Sequence, residues 1–340
     1  MIQRMNRRHM IASLGAVTAS VALTRQAFAQ DATASPSASP AARATSYPIT
    51  VTHDGGETTI EQPPVRIAAL EWHLVEDLLV MGIQPVAIAD VEGFKTWVTI
   101  ESQLADDVQD VGLRQEPSLE ALSAAEPDLI LGLDYRDIAI YDQLSAIAPT
   151  ILVSAYPEEE GVTPLDDLRD RLRFEASFLN RAAEAEKAIT AMDTTIDEQA
   201  VAIEDTALDG APFVVIQGFT YENAPTWRIF TDGALVGNAI AATGLTNAWT
   251  ADGGDWGFTT NSVESFVELP EDVNVFYIVN DTDNIVEGVL ANDPIWQSLP
   301  FMREGRFFPL GGDTWTFGST ESVQRIVTRS TGQITGTAGA

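Results

Sequence analysis

Residues 163–179 read Thr163-Pro164-Leu165-Asp166-Asp167-Leu168-Arg169-Asp170-Arg171-Leu172-Arg173-Phe174-Glu175-Ala176-Ser177-Phe178-Leu179, and their pattern decides the fold. Thr163 is a hydroxyl residue suited to an N-cap, Pro164 fits the first helical position, and Asp166 places an acid in the first turn. Leu165, Leu168, Leu172, Ala176 and Leu179 then recur at steps of three and four, which gives one apolar stripe. The spacing predicts a single long helix from Thr163 to Leu179. A second helix is expected from about Arg181 to Ala207, rich in Ala, Glu and Thr and packed on the outside of the lobe that follows.

On both sides of this helix the chain alternates short apolar runs with helical stretches. Before it, Ile49-Thr-Val-Thr and Glu57-Thr-Thr-Ile flank the glycine turn His53-Asp-Gly-Gly and form a hairpin. Strands at Val65 to Leu70 and Pro85 to Ala89 enclose a helix from Trp72 to Met81, which signals a parallel sheet. The alternation continues with a helix at Ser118 to Ala125, a strand at Asp128 to Leu133, a helix near Ile140 to Ile147 and a strand at Thr150 to Val153. After the long helices come strands at Phe213 to Gln217, Arg228 to Thr231, Val273 to Val279 and Arg306 to Pro309, with helices at Ala234 to Ala242, Val263 to Leu269 and Thr320 to Thr331. Ser118-Leu119-Glu120 before Asp128-Leu-Ile-Leu is echoed by Ser262-Val263-Glu264 before Val273-Asn-Val-Phe-Tyr. Two αβ lobes joined by one helix fit this pattern better than one large sheet.

The N-terminal segment reads as a signal peptide over residues 1–29, with Arg4, Arg7 and Arg8, an apolar run from Met10 to Leu23, and Ala27-Phe28-Ala29 as a cleavage site. The pair Arg7-Arg8 gives it a twin-arginine character. The apolar run is shorter than the roughly 20 residues that a membrane span needs. A linker of small and polar residues is expected over 30–46, an N-terminal lobe over 47–162, the connecting helix over 163–180, a C-terminal lobe over 181–335 and a tail over 336–340. The chain has no cysteine, so disulfides, thiol chemistry and a lipid-modified cysteine are excluded. The expected product is exported, extracytoplasmic or periplasmic, soluble after cleavage and monomeric.

Nineteen Lys and Arg against 50 Asp and Glu give a formal net charge of −31. This excludes nucleic acid as a partner and reads as a solvated acidic surface. Of the three histidines only His53 and His73 lie beyond the signal segment, so a three-histidine metal site is excluded. There is no nucleophile elbow, Walker A motif or dinucleotide glycine fingerprint. No metal site, no covalently bound cofactor and no catalytic residue are expected.

What remains is aromatic. Trp72, Trp97, Trp249, Trp256 and Trp315 each fall at or between element ends, in short polar or glycine-containing stretches. Open αβ sheets bind ligands at strand ends, so five tryptophans in such positions point to a cleft. Trp296, in Ile295-Trp-Gln-Ser-Leu-Pro, reads as structural. Trp227, at a strand start beside Arg228, fits either role and is kept as a ligand candidate. Arg114, in Val111-Gly-Leu-Arg-Gln-Glu-Pro-Ser-Leu-Glu120, is the charged candidate, because a guanidinium offers five fixed donors to clustered anionic oxygens.

At these residues the chain is similar to the iron(III) hydroxamate-binding proteins of siderophore ABC importers, within the helix-backbone class of solute-binding proteins. Arg66-Ile-Ala-Ala-Leu-Glu-Trp72, Trp97-Val98, Asp110-Val-Gly-Leu-Arg114 and Glu116-Pro-Ser-Leu-Glu120 carry the resemblance in the first half. In the second half, Asn247-Ala-Trp249, Trp256-Gly257, Pro294-Ile-Trp-Gln-Ser-Leu-Pro-Phe301, Gly305-Arg-Phe307 and Trp315 to Gly318 carry it. The resemblance implies an α/β fold with a rigid helix joining the lobes and a shallow aromatic cleft between them. It implies that Arg114 contacts the hydroxamate oxygens around iron, and that Trp72, Trp97, Trp256 and Trp315 line the site. A family tyrosine that reaches the same oxygens falls near Tyr135, where the spacing differs by a residue or two. Iron(III) is then present only as part of the ferric siderophore. Glu120 and Glu264 are the candidates for docking onto the membrane permease of the ABC importer. Haem or cobalamin binding by the same fold, with His73 or a tyrosine as axial ligand to haem, and a secreted hydrolase using two carboxylates remain as alternatives.

Overall fold

In the computed structural model the described residues are 45–156 and 161–336. The signal segment, most of the linker and all but Gly336 of the tail lie outside them. The first lobe opens with the hairpin β1 (Ile49–His53) and β2 (Gly56–Ile60). There follow β3 (Ile67–Ala69), α1 (Trp72–Val80), β4 (Ala87–Ile88), α2 (Val91–Trp97) and β5 (Gln109–Asp110). A small ribbon, β6 (Gly112–Leu113) and β7 (Glu116–Pro117), leads to α3 (Leu119–Ala124), β8 (Leu129–Leu133), α4 (Asp134–Asp137), α5 (Tyr141–Ser145) and β9 (Thr150–Val153). Strands β5-β4-β3-β8-β9 form one parallel sheet in that order. Apart from the polar, exposed edge strand β5, its strands are apolar on both faces. Ile67 and Ala69 enter one core with Leu129 and Leu131, while Ala68, Leu70 and Ile130 enter the other.

Two long helices follow, α6 (Pro164–Leu179) and α7 (Ala182–Ile203). Helix α6 begins as the sequence requires, with the Thr163 hydroxyl accepting from the Asp166 N–H at 3.2 Å, and it ends at Asn180 in the left-handed region at φ 56°. Its stripe is divided. Leu165 and Leu168 pack in the core of the second lobe, whereas Leu172, Ala176, Phe178 and Leu179 pack in the first. Helix α7 is divided the other way, with Ala185 and Ile189 in the first core and Met192, Ile196 and Ile203 in the second. The expectation that α7 lies on the outside of the second lobe is therefore corrected. At 22 residues it is about 33 Å long, enough to reach both cores.

The second lobe contains β10 (Pro212–Tyr221), β11 (Ala224–Phe230), α8 (Leu235–Ala241), β12 (Thr246–Asn247), β13 (Phe258–Asn261) and β14 (Asn274–Val279). It closes with α9 (Pro294–Ser298), α10 (Pro300–Arg303), β15 (Phe307–Pro309) and α11 (Thr320–Thr335). Its sheet runs β13-β11-β10-β14-β15, with β12 also pairing β10. Strands β12, β14 and β15 are parallel to the frame, while β11 and β13 pair antiparallel. The fold is thus α/β, with a parallel sheet in the first lobe and a mixed sheet in the second, where parallel-rich sheets were expected in both.

Polar contacts of α1 join the lobes. Glu76 and Asp77 are fully buried, and the Glu76 carboxylate accepts from the N–H of Ser322 at 2.8 Å and its hydroxyl at 2.6 Å, at the start of α11. Asp77 accepts from the Ser319 hydroxyl and, at 3.3 Å, from Nε of Arg171 on α6. Trp315, which follows β15 of the second lobe, packs in the core of the first.

Candidate functional site

A cavity of about 420 Å³ opens between the lobes. Its first-lobe wall comes from the carboxyl ends of β3, β8 and β9, which deliver Glu71, Tyr135, Arg136 and Tyr156, and from Arg114 in the β6–β7 turn. The second-lobe wall holds Arg228 on β11, Trp256, Phe258 and Phe317. Helix α6 contributes Asp167 and Arg171. Strand ends pointing into a crevice are where an open αβ sheet binds ligands.

Glu71 organises the first wall. It is buried, and its Oε1 caps α1 by accepting from the Trp72 N–H at 2.8 Å while also accepting from Nη1 of Arg114 at 2.7 Å. Its Oε2 accepts from Nη1 of Arg136 at 2.8 Å. Arg136 is further tied to the Leu70 carbonyl and to Asp137. The guanidinium of Arg114 lies over the Trp72 ring at 3.6 Å, with the Trp315 ring 5.3 Å away. A cation held between a carboxylate and an indole face loses little entropy when it grips a ligand.

Three aromatic side chains meet across the cleft. Trp256, 44% exposed, makes edge contacts with Tyr135 at 5.1 Å and Tyr156 at 5.2 Å, and the two tyrosines lie 6.2 Å apart. Burial pushes the Tyr135 phenol up to about 12, with the nearby Glu71 charge adding to it, and burial also raises Tyr156. Both therefore remain hydrogen-bond donors at neutral pH. His73 is the reverse case. Burial and the guanidinium groups of Arg171, Arg136 and Arg114 hold its imidazole well below its ordinary range, so it is neutral.

Of the candidates from sequence, Arg114, Tyr135, Trp256 and Trp315 line the cavity. Trp72 stands behind it: it is buried, donates from Nε1 to the Ala89 carbonyl at 3.1 Å, and acts as the platform under Arg114. The structure does not bring the other three to the cavity. Trp97, at the end of α2, packs partly buried on the first-lobe core. Trp249 packs on the second-lobe core and donates to Thr259 Oγ1 at 2.9 Å. Trp227 is fully buried and stacks on Trp296 at 5.3 Å, so its assignment as a ligand residue is corrected to core packing. Strand alternation is the reason. Trp227 and Ile229 face one core, which turns Arg228 to the opposite face and into the cavity.

Arg228, Tyr156, Arg136 and Glu71 were not singled out from sequence. Arg228 and Tyr156 each carried a signal: a strand period that places Trp227 inward, and a position just beyond β9. Glu120 and Glu264 are both exposed, each in the first turn after an echoed serine. Ser118 Oγ accepts from the Ala121 N–H at 3.2 Å, whereas the Ser262 hydroxyl donates to the Glu264 carboxylate and lowers its pKa. Among the described residues no group of three His, Asp or Glu side chains is placed to hold a metal ion, and no helix is long and apolar enough to cross a membrane.

The periplasmic binding protein family model matches residues 67–314. The iron(3+)-hydroxamate-binding protein FhuD of Escherichia coli is 30% identical over 265 residues, which cover 78% of this chain and 85% of the relative. The Fe(3+)-citrate-binding protein YfmC of Bacillus subtilis is 27% identical over 271 residues, 78% of this chain and 79% of the relative. Among solved structures, the Fe3+-Desferal-bound siderophore binding protein FhuD from Vibrio cholerae superimposes with a TM-score of 0.71 at 22% identity, covering 80% of this chain and 98% of that one.

Proposed function

The chain belongs to the periplasmic binding protein family, and on that premise we propose that it captures iron(III) hydroxamate siderophores between its lobes and delivers them to the permease of an ABC importer. The family is one of substrate carriers, not enzymes. The observation that carries the ligand assignment is Arg114, clamped by Glu71 at 2.7 Å and stacked on Trp72 at 3.6 Å at the edge of an aromatic cavity. Three hydroxamates fill the six coordination positions of iron with oxygen, so such a ligand asks the protein for hydrogen-bond donors and apolar faces. Arg114 supplies charged donors, Tyr135 and Tyr156 supply phenol hydroxyls, and Trp256 and Trp315 supply faces.

The carboxylates at the cavity are unsuited to hydrolysis. Both oxygens of Glu71 are committed to guanidinium groups, and Asp167 lies 3.7 Å from Arg171. In this reading the protein is exported, works as a soluble monomer after cleavage of the segment over 1–29, and presents Glu120 and Glu264 to the permease. The test is to mix purified protein with ferrioxamine B and with ferrichrome and to separate the mixture by gel filtration. The ferric hydroxamate charge-transfer colour is expected to elute with the protein. Elution of the colour with the small molecules for every hydroxamate tried would refute the assignment.

A further inference from the structure

The arginines that reach the cavity differ in how they are neutralised. Arg114 and Arg136 share Glu71, and Arg136 also has Asp137 at 3.1 Å. Arg171 has Asp77 at 3.3 Å and Asp167 at 3.7 Å. Arg228 has no carboxylate within salt-bridge distance among the described residues. Among the described residues its one hydrogen bond is from Nη1 to Gln217 Oε1 at 3.1 Å, across the β10–β11 pair. Its guanidinium lies 4.9 Å from the Phe258 ring centroid and 5.3 Å from that of Phe219. An arginine stays charged at neutral pH, so the second-lobe wall presents a cation with aromatic surroundings and with donors that no described residue takes up.

A ferric trihydroxamate core is neutral, because three hydroxamate anions balance iron(III). Closing the cleft on the core alone would bury the Arg228 charge with a neutral amide as partner, and burying an unpaired charge is costly. We propose that Arg228 reads a carboxylate carried by the siderophore outside its iron-binding hydroxamates, so that the preferred ligand is a ferric hydroxamate with an anionic arm. This rests on the hydroxamate reading above and adds the chemistry of the remainder of the ligand. Arg114 grips the iron-centred oxygens from the first lobe, and Arg228 pairs with the pendant carboxylate from the second, which fixes the ligand's orientation as well as its charge.

Two ligands with one chelating core separate the possibilities: ferrioxamine B, whose tail ends in an ammonium, and its N-succinyl derivative, whose tail ends in a carboxylate. Both are titrated into wild-type protein and into Arg228→Gln at 0.15 M salt, following tryptophan fluorescence. The wild type is expected to bind the carboxylate form at least about tenfold tighter, the size of effect that a hydrogen-bonded charge pair brings. Arg228→Gln is expected to bind the carboxylate form more weakly and the ammonium form more tightly, which collapses the preference. Equal wild-type affinities, or a preference that survives in Arg228→Gln, would overturn the role of Arg228 while leaving hydroxamate capture intact. Failure of the wild type to bind either ligand would overturn the hydroxamate reading and this inference with it. The wild-type comparison stands even if Arg228→Gln fails to fold.

Discussion

Glu76 makes the junction between the lobes sensitive to pH. Its carboxylate is fully buried between α1 and α11, and burial outweighs the hydrogen bonds from Ser322 and pushes its pKa up from the ordinary 4.5 to about 7. A folded-state pKa above the unfolded value means that the native state holds the proton more tightly. The stabilisation is therefore fully present below about pH 4.5 and is lost as pH rises through about 7. Between pH 5 and pH 8 the loss is on the order of 2–3 kcal/mol for this one group. Asp77 and Glu175 are also raised, chiefly by burial, and contribute in the same direction, so the wild-type curve alone is not specific to Glu76. Glu76→Gln keeps a carbonyl oxygen for the Ser322 N–H and an amide that can donate to the Ser322 hydroxyl, but it cannot ionise. Urea unfolding of both proteins from pH 5 to pH 8 gives the difference in stability at each pH. The wild type is expected to lose on the order of 2–3 kcal/mol relative to the variant across this range. A difference that stays flat, or that moves the other way, would refute the placement of a protonated Glu76 at the junction.

Trp227→Ala removes a fully buried ring stacked on Trp296 and is expected to cost about 3–5 kcal/mol in urea unfolding while leaving the ligand affinity of the folded protein near wild type. Lost binding at unchanged stability would return Trp227 to the site. Trp256→Ala is the opposite case. Its ring is 44% exposed and meets Tyr135 and Tyr156 over the cavity, so the expected result is a stability change of under about 1 kcal/mol and a ligand affinity reduced at least about tenfold, read by calorimetric titration. An unchanged affinity would remove Trp256 from the cleft wall.

Continuous apolar runs and period-3.6 patterns made the elements legible. The runs around Ile67, Leu129, Val214 and Val275 are strands because they are apolar on both faces, and the stripe from Leu165 to Leu179 is a helix. Periodicity identifies the buried face of a helix but not which core it meets. The division of α6 and α7 between two lobes was illegible for that reason. The site was partly legible because Arg114 and Trp256 stand in loops that only a ligand or a neighbouring lobe would cover. Trp97, at the end of α2, and Trp249, in the loop after β12, are covered by their own lobes, a difference that depends on packing. Trp227 and Arg228 were distinguishable in principle, since adjacent strand residues face opposite sides and the large indole takes the core. Glu71 became meaningful only when the fold brought Arg114 and Arg136 to its two oxygens.

The central claim is that ferric hydroxamates are held by the arginine that Glu71 and Trp72 fix in place. Its most direct test is a fluorescence titration of wild type and Arg114→Ala with ferrioxamine B, with thermal unfolding of both proteins in parallel. Saturable quenching in the wild type, at least about tenfold weaker binding in Arg114→Ala and closely similar unfolding curves are the predicted results. Equal affinities in the two proteins would contradict the claim and move the binding site away from Arg114.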